Sequence, residues 1–198
     1  MIDLPDRVVV PLGRATSVVW DPAAAERVVS IAVPGGAIGL TEDEHAIWAH
    51  AARGVSKGDL LERAPVDGPR TAYDAVHGYG LLVEIATGGA TALREAASLR
   101  LLAHARSGVH PRQGLVVGEP AAEFVRLSPV VQEIYGWCAG THSLAMAVVL
   151  VATAASEAGV NDPAVIRPER LVRRAFAELF PLVGAGLASF GPAEGLVA

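Results

Sequence analysis

Ala37-Ile38-Gly39-Leu40-Thr41-Glu42-Asp43-Glu44-His45-Ala46-Ile47-Trp48 is the stretch whose reading decides the fold. Its first four residues are small or apolar and predict a short strand. Thr41 with Glu44 three residues later is a capping box, in which a hydroxyl and a carboxylate each satisfy an orphan amide at a helix start. The helix this opens, Thr41–Ala52, puts Ile47, Trp48 and Ala51 on one face. Gly54 ends it. Ser56-x-x-Asp59 starts a second short helix carrying Leu60 and Leu61. A third runs from about Thr71 to His77 and stops at Gly78-Tyr79-Gly80, and Leu81–Ile85 reads as a strand or extended exit. A small sheet followed by three short helices is the order of a winged helix-turn-helix.

Upstream, Val8–Leu12, Thr16–Trp20 and Arg27–Val33 are β-branched and predict strands. Asp21–Ala25 is a connector or a short helical turn, and Pro34-Gly35-Gly36 a turn. Downstream, Ala90–Arg106 predicts an amphipathic helix, with Leu93, Ala96, Ala97, Leu101 and Leu102 available for one face. Ser107–Gln113 is the expected boundary between halves. The first half then recurs. Leu40-Thr41 matches Leu127-Ser128, Ile47-Trp48 matches Ile134-Tyr135, Ala52 matches Ala139 and Ser56 matches Ser143, each at an ungapped offset of 87 residues. Strand candidates Leu115–Val117 and Glu123–Leu127 precede the second set. Pro168–Phe180 is its third helix, and Gly184-Ala185-Gly186-Leu187 echoes Gly78-Tyr79-Gly80-Leu81 after an insertion of about twenty residues.

Composition sets outer limits. The 198 residues are 52% hydrophobic with a mean hydropathy of +0.39, enough apolar material for a sizeable core and against a disordered chain. A net charge of −5 and a pI near 5.7 argue mildly against nucleic acid or an anionic membrane as partner. The one cysteine, Cys138, allows no internal disulfide and suits a reducing cytoplasm. The first residues lack the basic and apolar regions of a secretory signal. The most apolar run, Leu144–Ala155, falls short of the roughly 20 residues a membrane span needs and is expected to be a buried helix.

The order of strands, the Leu-Thr-Glu-Asp-Glu-His-Ala-Ile-Trp segment, a glycine, Ser-x-x-Asp-Leu-Leu and a third helix closing on Gly-Leu-Leu-Val-Glu resembles the PqqD-like domains, or RiPP recognition elements. Val18–Ile85 carries the resemblance, and Leu115–Phe190 matches it in outline. A single such domain is about half this length, and Arg53-Gly54 stands where an acidic-glycine pair is common. The resemblance implies α+β architecture: a winged helix-turn-helix over 1–89, a connecting helix over 90–106 and a second, diverged copy over 107–198. It also implies a non-catalytic role in binding the leader segment of a precursor peptide, or a modifying enzyme. The peptide would add as a strand beside Ala37, Ile38 and Gly39, with Tyr73, Val76 and His77 facing its groove. A second copy of the chain is a further expected partner.

The other candidate chemistries are thinner. The six histidines, His45, His50, His77, His104, His110 and His142, have no zinc spacing with cysteine or carboxylate support, so no metal or other cofactor is expected. Cys138 lies four residues before His142, but on the predicted core side of its helix, where a thiol acts as a small hydrophobe, so no catalytic residue is assigned. Arg167, Arg170, Arg173 and Arg174 cluster on the third helix of the second half. On a DNA-binding winged helix they would contact phosphates. That transcription-regulator reading is the alternative to peptide recognition. The first half's equivalent helix offers only Arg70, beside Asp67 and Asp74.

Overall fold

Val8-Val9-Val10 is a β-branched run with no polar face, and such a strand needs apolar cover on both sides. In the computed structural model, which describes residues 3–23, 26–105, 107–110, 114–118 and 124–193, it forms β1 (Arg7–Pro11) and is covered on both. Gly13, at a φ of 88°, then turns the chain into β2 (Arg14–Asp21). A Cβ at Gly13 would stand 2.7 Å from the Ala32 carbonyl oxygen, so only glycine fits. β2, β3 (Glu26–Val33) and β4 (Gly36–Leu40) make an antiparallel sheet in that order, with β4 an edge strand that among the described residues is bonded only to β3. A register shift between Ala15 and Ser17 bulges β2.

The capping box forms as read: the Glu44 amide donates to the Thr41 hydroxyl at 3.3 Å and the Thr41 amide to the Glu44 carboxylate at 2.9 Å. It opens α1 (Glu42–Ala51). Ser56 caps α2 (Lys57–Arg63), and α3 (Pro69–Gly78) follows with proline at its start. β5 (Leu82–Ala86) then returns to pair antiparallel with β1 rather than with the three-stranded sheet.

α4 (Gly89–Ala96) corrects the helix expected over 90–106. Ser98 ends it, its hydroxyl donating to the Glu95 carbonyl at 2.7 Å. The rest is β6 (Leu99–Ala103), where buried Leu99 and Leu101 alternate with part-exposed Arg100 and Leu102. The helical reading took Leu101 and Leu102 for one face. Period two won because a distant strand pairs here. Within the expected boundary at Ser107–Gln113, residues 107–110 form β7 (Ser107–His110), and 111–113 lie outside the described residues. β8 (Gly114–Gly118) and β9 (Phe124–Arg126) complete an antiparallel sheet in the order β7-β8-β9. Then come α5 (Pro129–Trp137), α6 (Leu144–Glu157), the short α7 (Pro163–Ile166), α8 (Pro168–Gly184) and β10 (Ala188–Pro192), which pairs with β6.

The chain is therefore α+β, mixing helices with small antiparallel sheets. One order of elements occurs twice: strand, three-stranded sheet, helices, and a strand that pairs with the first. Matching residues make matching bonds. Trp48 Nε1 donates to the Leu12 carbonyl just past β1 at 2.9 Å, and the Tyr135 hydroxyl to the Ala105 carbonyl just past β6 at 2.6 Å. The Leu12 amide donates to Leu81, and the His104 amide to Leu187. Gly80 and Gly186 follow the ends of α3 and α8, the last helix of each half, at φ of 72° and 70°. Ser56 and Ser143 both cap second helices. The match of Ala52 with Ala139 does not extend to burial, since Ala52 is buried and Ala139 exposed. Ser128 also departs from its counterpart Thr41: Glu178 of α8, not a residue of its own helix, accepts from its amide at 2.6 Å.

Two cores result, with β1 and β5 between them. Val9 and Leu82 face the first, together with Ile31, Leu40, Ile47, Trp48, Leu60, Tyr73 and Val76. Val8, Val10 and Ile85 face the second, which is built on Phe176, Phe180 and Phe190. The halves also meet at Gly54, whose φ is 70° and where a Cβ would come within 2.8 Å of Leu4 and 2.9 Å of Phe180. Among the described residues no helix is long and apolar enough to cross a membrane.

Candidate functional site

β4 offers backbone on its outer side, as a strand-addition site must. Ala37 and Gly39 are exposed, while Ile38 is half-buried against the first core. The elements packed on β4 are β3 and α1. Just past its end, a cleft of about 190 Å³ opens between the starts of α1 and α3, lined by Thr41, Asp43, Glu44, Asp67 and Thr71 among others. Three carboxylates there favour a cationic guest.

Two of the three expected anchor residues are closed off from solvent, and the third, His77, is exposed. Tyr73 and Val76 are 1% and 0% exposed and belong to the first core, so neither can line an open groove. Tyr73 is nonetheless the centre of a polar cluster. Its hydroxyl donates to Glu84 at 3.1 Å, the Lys57 ammonium lies 4.4 Å over its ring, and the exposed His77 stacks on it at 5.8 Å. Burial, and then the Glu84 charge, hold the phenol above its ordinary pKa, so it stays protonated and donating. The periodicity that placed Tyr73 and Val76 on one face of α3 was right. Which face looks inward was not readable from it.

Three surfaces escaped sequence reasoning. β2 is a second edge strand, with Val18, Val19 and Trp20 at 64%, 45% and 61% exposure. The β-branched run Thr16–Trp20 forms the expected strand, yet both of its faces are open. In the second half a cleft of about 510 Å³ lies between the end of β9 and α8, lined by Arg126, Ser128 and Glu178 among others. A third, of about 490 Å³, runs along α5 and α6 beside the half-exposed Trp137. No motif marks either cleft.

The arginine cluster divides. Arg173 donates to the Leu4 carbonyl and to the Thr87 hydroxyl, and pairs with Asp3 at 3.6 Å. Arg174 pairs with Glu178 at 3.0 Å. Arg167 and Arg170 are exposed at the start of α8. Further along, α8 buries nine residues against neighbouring elements, so most of its length is core rather than a free recognition surface. Cys138 is buried, which pushes its thiol up to about 12. The imidazoles of His45, His50 and His104 are held below the ordinary value, chiefly by burial. Among the described residues no group of three or more His, Cys, Asp or Glu side chains could hold a metal ion. Compared with protein-family models, with curated proteins and with solved structures, the chain finds no match.

Proposed function

We propose that the chain is a non-catalytic recognition protein, built from two winged helix-turn-helix halves, that binds the leader segment of a precursor peptide, or a partner enzyme, in the modification of ribosomal peptides. The observation that carries the reading is β4: an edge strand, bonded only on its β3 side among the described residues, with Ala37 and Gly39 open. An extended peptide would pair with its backbone, a mode that gives affinity with little dependence on side chains. Side-chain selection would come from the acidic cleft past Leu40, which favours a lysine or arginine on the peptide, and not from Tyr73 or Val76. The DNA-binding alternative has less support, because Arg173 and Arg174 already have partners within the chain.

The test is calorimetric titration with leader peptides of candidate precursors against wild type, Ile38→Pro and Asp43→Asn/Asp67→Asn. Proline removes an amide and disturbs the edge, so binding should be lost. The double amide variant should weaken binding of basic peptides only. Unchanged binding to a folded Ile38→Pro variant contradicts the reading.

A further inference from the structure

We propose that the cleft between α1, the start of β2 and β10 binds a small organic anion, one compact carboxylate or phosphate group on an apolar body. The cleft measures about 400 Å³ and lies where the two halves meet, a size and position common for small-molecule sites. Arg14, His45, Trp48, Gly186 and Ser189 are among its walls, and among the described residues no carboxylate and no residue of β4 lines it.

Arg14 supplies the charge. It is exposed, and its guanidinium has no hydrogen bond or ion pair among the described residues. A guanidinium in that state offers its planar fork of donors to an oxyanion. Its place is fixed by the backbone: the Gly13 amide donates to the Phe190 carbonyl at 2.7 Å, which ties the first residue before β2 to β10. Across the cleft, Ser189 is 2% exposed and its hydroxyl lies 2.8 Å from His104 Nε2. With the imidazole donating to the serine oxygen, the serine hydrogen is free to turn to a ligand oxygen. Trp48 and His45 supply the apolar surface. Their rings stack at 5.9 Å, and the indole is locked by its bond to the Leu12 carbonyl. Burial and the Arg14 charge together disfavour protonated His104. An anion beside Arg14 would offset the second of these, so binding should raise the imidazole's pKa.

The experiment is an NMR titration of the full chain with phenylacetate and with phenyl phosphate, using benzyl alcohol as the uncharged control. The Trp48 indole N–H and the Gly13 and Gly186 amides are the reporters. The proposal expects saturable shifts with at least one anion and none with the alcohol. The tighter anion identifies the source as carboxylate or phosphate ester. Arg14→Gln, at an exposed position that puts folding at little risk, should weaken binding about tenfold or more. The control Arg63→Gln should leave it unchanged. No saturable shift with either anion overturns the proposal, as does equal binding by the Arg14→Gln variant or by benzyl alcohol.

Discussion

Arg173 illustrates how a residue read as surface charge can be a structural tie. It joins α8 to Leu4 and Thr87, two points of the first half. Its loss leaves a carbonyl and a hydroxyl without their donor, so Arg173→Ala should cost about 2 kcal/mol in urea denaturation. Arg170→Ala, exposed on the same helix, should stay within about 0.5 kcal/mol. Sequence alone could not separate these two, because the partners of Arg173 lie far away along the chain. Cys138 was legible: helical spacing placed it inward, and it is buried. With its thiol pushed up to about 12, it should resist maleimide in the folded protein and react only on unfolding. The histidines set a pH dependence. His45, His50 and His104 have folded pKa values below the unfolded one. Their neutral forms favour the fold above about pH 6.5, and this contribution is lost as pH falls through and below that value, where the unfolded chain takes up protons first. The melting temperature should therefore drop between pH 7 and pH 5.5 by more in wild type than in a His104→Asn variant that melts cooperatively.

At the scale of elements, local signals were the readable ones. The capping box, the Ser56 cap and the closing glycines mark α1, α2 and α3 because each signal is complete within a few residues. Leu99–Ala103 went to the wrong period because its partner, β10, lies nearly ninety residues away and nothing local announces it. The same limit hid the inward face of α3. Tyr73 is core, so Tyr73→Ala should cost about 3–5 kcal/mol of stability, and lost binding in that variant would report unfolding. Tyr73→Phe, which removes only the bond to Glu84, should cost about 1 kcal/mol. β2 presents the opposite case, an apolar edge left open. Such an edge invites pairing with other chains, so Trp20→Lys should reduce concentration-dependent association in sedimentation velocity without lowering the melting temperature.

On the whole-molecule scale, the recurrence of one element order suggested by the 87-residue offset comes with a shared middle. β1 and β5 present Val9 and Leu82 to one core and Val8, Val10 and Ile85 to the other. A fragment ending at residue 89 would expose that second face, so it should aggregate or fail to melt cooperatively, while the full chain unfolds in a single transition. The peptide-binding reading rests elsewhere in the first half, at β4, and there one measurement bears on it most directly. Amide hydrogen exchange on the full chain, with and without a leader peptide that binds by calorimetry, reads the edge itself. The account predicts new protection at those β4 amides, within 36–40, that do not pair with β3, and its loss in Ile38→Pro. Protection that appears elsewhere, at the β2 edge or along β9, while β4 exchanges as in the free protein, would contradict it.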